Sequence, residues 1–214
     1  MGMCKAGDDL QRLFLFFRQD DLWYEKAMEK LPAWLACTKM LICGEILGLV
    51  PDSVSFVMDQ LAITALKFQR MPSENIPFYN SKNASYMTAV TASSHDSSTL
   101  RQWWHEDRKM TQQYFNQQLK QYGMAPWYLL PKFSEMILKQ HLYTEAMLAI
   151  FPIQDFLAID KAVMDKNMDD ERMNVPAIFP NYWRYRMHLK LEDLNSETAF
   201  NQKISHGVKD SGRK

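Results

Sequence analysis

Residues 40–68 read MLICGEILGLVPDSVSFVMDQLAITALKF, and their pattern decides the fold class. Met40 to Cys43 is a short, unbroken apolar run with neither helical spacing nor alternation. It predicts a strand buried on both faces, stopping at Gly44-Glu45. Pro51 pre-sets a helical φ and lacks only an amide that a first turn leaves unpaired, so a helix is expected to open there and run to about Leu61. Ile63 to Phe68 then predicts a second strand. Strand, helix and strand in such short compass indicate a parallel α/β architecture.

The same alternation continues outward. Tyr86 to Ala92 and Met147 to Phe151 predict two more strands, and Thr99 to Asp107, Thr111 to Tyr122 and Trp127 to His141 predict helices. Asp165 to Asn181 is polar and proline-bearing and predicts an ordered loop, followed by a terminal helix from Tyr182 to about Ser205 and a frayed tail from His206. Toward the N-terminus, Leu10 to Leu31 predicts two consecutive helices, the second, Leu22 to Lys30, capped by an aspartate of Gln19-Asp20-Asp21 and ending near Pro32. About four strand-helix units plus extra helices are too few to close an eight-stranded barrel, which takes about 250 residues. The expected fold is therefore part of a (β/α)8 TIM barrel.

Composition narrows the function. With 47% hydrophobic and 13% aromatic residues the 214-residue chain can bury a sizeable core. Lys plus Arg and Asp plus Glu both number 25, so no net field favours nucleic acid or an anionic membrane, and a neutral partner fits better. Cys4, Cys37 and Cys43 are odd in number and lack CxxC spacing, the pattern of reduced thiols in a cytoplasmic protein. No apolar run reaches the roughly 18 residues of a membrane span. The five histidines form no HxxxH or HExxH pair, so a metal site is not expected, and no phosphate-binding glycine loop occurs. An amphipathic segment begins almost at Met1 with no leader, which leads to the expectation that the reading frame opens inside a larger protein.

In sheets of this kind the reactive groups sit where strands end, because the loops there form the open mouth. That selects Glu45, Gln69-Arg70, His95-Asp96 and Gln154-Asp155. Two carboxylates at one rim, Glu45 and Asp96, suit glycoside cleavage, where one carboxyl protonates the leaving oxygen and another faces the sugar carbon. A solvated strand end explains Glu45 equally well, and a hydrogen-bonded turn explains His95-Asp96. Aromatic residues near loops, including Trp103, Trp104, Trp183 and Tyr185, suit stacking on sugar rings, although core packing accounts for most of them.

Together the motifs are more specific. Cys43-Gly44-Glu45-Ile46-Leu47-Gly48 with Pro51 resembles the acid/base strand, GEDLG and a proline, of glycoside hydrolase family 77, the 4-alpha-glucanotransferases. Ser94-His95-Asp96 followed by Thr99-Leu100-Arg101 and Trp103-Trp104 resembles its (T/S)HD...TLRxWW segment. Pro152 to Leu157 resembles the PxQDxL of its last barrel strand, and Glu171 to Pro176 with Asn181 to Arg186 resembles its closing RxNxP...NWxxR signature. Gln69-Arg70-Met71-Pro72 and Asn174 to Ala177 look more like the branch containing the plant cytosolic disproportionating enzyme.

The resemblance implies a C-terminal part of the catalytic barrel spanning 1–214, with a helical lead-in (1–38), barrel units (39–160) and a closing loop and terminal helix (161–214). It implies retaining transfer of alpha-1,4-glucan segments between maltooligosaccharides, starch or glycogen, without cofactor. Glu45 is implied as general acid/base and Asp96 as the carboxylate stabilising the oxocarbenium-like transition state, with His95, Gln154, Asp155, Trp104 and Asn174 binding substrate.

Two departures follow. A retaining mechanism needs a nucleophilic carboxylate about 5 to 5.5 Å from the acid/base, which the family carries in an RxDH motif on the preceding strand, and no RxDH occurs here. The isolated chain is accordingly expected to be inactive without a missing N-terminal half of the barrel, a non-catalytic glucan-binding module or inactive remnant being the alternatives. Ile46 also stands where the family usually has an aspartate.

Overall fold

A computed structural model of the chain describes residues 19–46, 50–72, 76–180 and 183–213. Helix α1 spans Asp20–Ala36 and leads to strand β1, Cys43–Glu45. Helix α2, Asp52–Gln60, separates it from β2, Thr64–Phe68. A 3-10 turn at Ser81–Asn83 precedes β3, Thr88–Thr91. Helices α3 (Leu100–Glu106), α4 (Arg108–Gln117) and α5 (Pro131–Leu142) lead to β4, Leu148–Ala149. After it come α6 (Ile153–Leu157), a 3-10 turn (Met168–Glu171), α7 (Leu191–Ser196) and α8 (Thr198–Asp210).

The four strands form one parallel sheet in chain order, β1-β2-β3-β4. Sequential order without a reversal is how a barrel wall grows, whereas a doubly wound sheet switches direction partway. Register runs across the sheet as Glu45 beside Leu66, Leu66 beside Ala89 and Ala89 beside Leu148. Strand side chains alternate between faces, so Thr64 and Leu66 share one face while Ala65 and Lys67 share the other. β2, β3 and β4 lie within the predicted runs and are shorter than them, whereas β1 shares only Cys43 with the predicted Met40 to Cys43 and includes the Gly44-Glu45 expected to end it, because its pairing with Thr64–Leu66 falls at 43–45.

Of three apolar clusters among the described residues, two gather side chains from the helices. The larger gathers Trp104, Tyr114, Phe115, Phe133 and Ile137 from α3, α4 and α5, with Phe200 of α8 packed in. Its rings meet edge to face, except for Trp104 and Phe133, which stack at 6.1 Å with planes 11° apart. Such pairs add about 1 kcal/mol beyond area burial. The smaller core is Ile46, Met58 and Ile63, flanked by Leu31 and Leu35 of α1. Gly44 lets α2 approach the strand closely, since a Cβ there would lie 2.9 Å from Met58 Cε. Ile46 is therefore a core residue, buried with the helix layer.

Several expectations are corrected. Pro32 sits inside α1 instead of ending it, and Gln19 occupies the N-cap without a side-chain hydrogen bond. The first of the two N-terminal helices lies outside the described residues. Pro51 is the extended N-cap of α2 rather than its first helical residue. Among the described residues no α-helix connects β2 to β3. The PxQDxL residues form a helix after β4, not a strand, because Pro152 at φ −58° starts a turn that Asp155 N–H closes on its carbonyl at 3.1 Å. In place of one terminal helix from Tyr182 there are two, α7 from Leu191 and α8 from Thr198 to Asp210, and the tail is anchored: the Arg213 guanidinium donates to the carbonyls of Leu142, Thr144, Ala146 and Met147. No described helix is long and apolar enough to cross a membrane.

One buried group sets a pH dependence. His141 of α5 has no exposed surface, and its Nδ1 donates to the Ile137 carbonyl at 2.8 Å. Burial outweighs the carbonyls beside it and pushes its pKa down to about 4. A folded-state pKa below the unfolded value means the unfolded chain binds the proton first, so stability is lost as pH falls from about 6.5 toward 4. Urea unfolding at pH 7 and pH 4.5 should show His141 costing on the order of 2 kcal/mol at the lower pH, and His141→Leu should flatten that dependence.

Candidate active site at the strand ends

The row Glu45, Leu66, Ala89 defines the concave face. Cys43, Leu66, Ala89 and Thr91 line a cavity of about 430 Å³ on that side, as do Ser94, His95 and Gln154. Glu45 lies two residues beyond Cys43 and beside Leu66 in register, so its side chain belongs to the same face. It is exposed and makes no hydrogen bond or ion pair among the described residues. A strand end open to water leaves this carboxyl available to an incoming group.

His95 and Asp96 lie in the turn between β3 and α3, both about half exposed. His95 Nε2 stands 3.1 Å from Asp96 Oδ2, and the Asn174 side-chain amide donates to Asp96 Oδ1. The His95 ring also meets the indole of Trp183 at 4.7 Å. Residues 78 positions apart thus converge on one carboxylate. The cluster pairs a negative oxygen with two nitrogen-bearing groups and a flat apolar ring, the surface a sugar's hydroxyls and apolar face require.

This turn has no regular structure, and deeper side chains hold it. Arg70, just past β2, donates to the carbonyls of Ala92 and Ser98 at 2.8 Å each and to Ser93 Oγ at 2.9 Å, with its guanidinium 5.0 Å from the Trp103 ring centroid. Burial pushes its pKa down to about 10, against the pull of Asp155, so it stays charged at neutral pH. At the start of α3, Thr99 and Gln102 form a reciprocal capping box. Asp155 Oδ1 accepts from the Leu100 amide at 2.9 Å.

The expected substrate-binding residues therefore divide. His95 and Asn174 reach the cluster, and Gln154, 3% exposed, lines the cavity wall, its Nε2 donating to the Glu171 carbonyl at 3.1 Å. Trp104 and Asp155 do not: both have 0% exposed surface. Trp104 points into the larger core, its Nε1 donating to the Pro126 carbonyl, and Asp155 caps α3. A side chain without exposed surface cannot touch a sugar, so both are scaffold.

Sequence reading missed Glu171, a buried carboxylate on the cavity wall. Asp169-Asp170-Glu171 looks like a solvated acidic run, and only the fold turns its last member inward. Tyr182, another candidate stacking residue, and Asn181 of the closing signature lie outside the described residues. Among those described, no group of three or more His, Cys, Asp or Glu is arranged to hold a metal.

Comparison with known proteins gives one consistent answer. The family model described as 4-alpha-glucanotransferase matches residues 16–192. The chain is 38% identical over 208 residues to a 4-alpha-glucanotransferase of rice (Oryza sativa subsp. japonica), covering 95% of this chain and 22% of that protein. It is 26% identical to the 4-alpha-glucanotransferase of Chlamydia pneumoniae, covering 87% of this chain and 36% of that one. The chain thus spans between about a fifth and about a third of these relatives. Among solved structures, the amylomaltase of Streptococcus agalactiae in complex with acarbose superposes with a TM-score of 0.63 at 18% identity, over 89% of this chain and 35% of that one. The amylomaltase of Corynebacterium glutamicum gives 0.50 at 15% identity, over 81% and 29%. The fold is the C-terminal part of a (β/α)8 barrel.

The Asp155 cap has a measurable consequence. Burial pushes its carboxyl up from the ordinary range, although the Leu100 amide and Arg70 pull it down. A raised folded pKa means stability is fully present below the unfolded pKa and is lost as pH rises through the folded value. Asp155→Asn keeps an oxygen for the Leu100 amide and carries no charge, so its urea midpoint at pH 7.5 should equal or exceed the parent's. Below pH 4 that advantage should disappear.

Proposed function

The chain belongs to the 4-alpha-glucanotransferase family, glycoside hydrolase family 77, and on that premise we propose that it supplies one wall of an active site for transfer of alpha-1,4-glucan segments. The observation carrying this reading is the cluster at the strand ends, where Asp96 is held by His95 and Asn174 on the rim whose concave face Glu45 shares. Residues 39–160 form the barrel wall in this reading, 161–214 the closing segment that delivers Asn174, and 1–38 the helical lead-in.

In the proposed mechanism a glucan lies along the concave face. The Glu45 carboxyl, at a strand end and without a partner among the described residues, protonates the glycosidic oxygen as the bond breaks, and its carboxylate then takes a proton from the acceptor hydroxyl. Asp96 lies against the sugar ring on which positive charge develops, and a carboxylate there stabilises that charge electrostatically. The Asn174 amide and His95 fix the orientation of Asp96. His95 and Trp183 offer a ring face to the sugar, and Gln154 a polar edge on the cavity wall.

Retention with transfer needs a second carboxylate to hold the glycosyl group while leaving group and acceptor exchange. No RxDH segment occurs in these 214 residues, so in this reading the nucleophile comes from polypeptide outside them. The proposed partners are maltooligosaccharides and the remainder of such a barrel.

The test uses the 214-residue chain itself. It should release no glucose from maltotriose, and release at a rate typical of a transferase would overturn the need for an outside carboxylate. Binding separates the roles. Acarbose carries an amine in place of one glycosidic oxygen, so a carboxyl poised at that oxygen makes a charge-assisted bond to acarbose that maltoheptaose cannot match. By titration calorimetry, Glu45→Gln should weaken acarbose about tenfold, roughly 1.4 kcal/mol, and change maltoheptaose less than about twofold. Asp96→Ala should weaken both. Equal effects of Glu45→Gln on the two ligands would favour a glucan-binding module without acid/base chemistry.

A further inference from the structure

Glu171 is not used by the mechanism above, yet it is 2% exposed and lines the same cavity. Both of its oxygens are committed. Arg101 Nη1 pairs with Oε1, and Thr99 Oγ1 donates to Oε2 at 2.9 Å. Its backbone carbonyl accepts from Gln154 Nε2. Arg101 Nη1 also donates to the Asp165 carbonyl at 2.8 Å. One residue along, Arg172 donates to the Asn174 carbonyl at 2.7 Å and pairs with Glu106 at 3.3 Å. The closing segment is therefore fastened to α3 through Arg101, Thr99 and Glu106.

Location gives these bonds their meaning. Thr99 is the N-cap of α3 and ends the turn that carries His95 and Asp96. Asn174, which donates to Asp96, lies three residues beyond Glu171. The two sides of the Asn174–Asp96 bond are thus joined by a second, buried bridge. Burying an ion pair adds little stability, because the desolvation cost offsets the attraction and a packed apolar group does as well. What an ion pair adds is direction: a carboxylate facing a guanidinium and a hydroxyl has one low-energy placement.

We propose that Glu171 is a positioning residue of the glucan site, holding the closing segment against α3 so that the Asn174 amide meets Asp96. This rests on the reading of Asp96 as a substrate-facing carboxylate. In Glu171→Gln an NH₂ or a neutral oxygen faces Arg101, the bridge weakens, and Asn174 loses its register while the fold persists. Asp96 then becomes freer to turn away from the sugar.

Acarbose titration of the 214-residue chain tests it through a double-mutant cycle. Glu171→Gln should weaken acarbose about fivefold to tenfold and add less than about twofold in the Asn174→Ala background, because both remove the same bond. Arg101→Lys, which keeps the charge but loses the planar fork, should move affinity in the same direction. A lowered Tm with unchanged affinity, or losses that multiply fully, would overturn the proposal by making Glu171 scaffold only. The ¹⁵N side-chain amide resonances of Asn174 give a readout independent of glucan: Glu171→Gln should shift them toward their position in Asp96→Ala. Unchanged resonances would overturn the positioning role. Absence of acarbose binding by the parent together with that shift would overturn the glucan reading alone.

Discussion

A chain that leaves a buried strand and enters a packed helix must satisfy every backbone donor and acceptor on the way, because water is not there to do it. Residues 92–100 face that constraint and meet it with borrowed side chains. Arg70 reaches from the end of β2 to the carbonyls of Ala92 and Ser98, and Asp155 reaches from α6 to the amide of Leu100. The turn they hold carries His95 and Asp96. Three strand ends are thereby coupled: β2 supplies the guanidinium, β3 the turn and the segment after β4 the cap. The geometry of Asp96 depends on side chains that lie beneath the turn.

The same logic explains where charge is buried and where it is not. Arg70, Asp155, Arg101 and Glu171 lie beneath the rim, each hydrogen-bonded, and burial moves the pKa values of Arg70, Asp155 and Glu171 against their charged forms. His95, Asp96 and Glu45 lie above it, exposed. An exposed contact such as His95–Asp96 contributes little to stability. Apolar packing behind both layers, centred on Trp104, Tyr114 and Phe133, supplies the stability that the buried polar layer consumes.

Legibility followed the range of the forces involved. Strand–helix order could be read in advance because an unbroken apolar run and a helix-initiating proline are local signals. Three of the four strands lie inside the apolar runs that predicted them, whereas β1 slides past Met40 to Cys43 onto Cys43–Glu45, and Leu148–Ala149 is much shorter than Met147 to Phe151, since a strand's bounds depend on how far its neighbour follows. Pro32 misled because a proline stops a helix only where the lost hydrogen bond is not outweighed, and packing of Leu31 and Leu35 on the smaller core carries α1 past it. The tail read as frayed because no local pattern reveals that Arg213 finds a ring of carbonyls across the fold.

By itself the sequence determined the α/β class and the family, and it pointed to Glu45, His95, Asp96, Gln154 and Asn174 near the strand ends. Those follow from periodicity and short motifs, which are properties of neighbours in the chain. Only the tertiary structure decided which way each side chain faces. Trp104 and Asp155 turned inward, Ile46 joined the helix-facing core, and Asn174 crossed 78 positions to meet Asp96. Glu171, the last member of an acidic run, became the buried partner of Arg101. Facing is set by long-range packing and by the demand that buried polar groups find partners, and neither is written in any short window of residues.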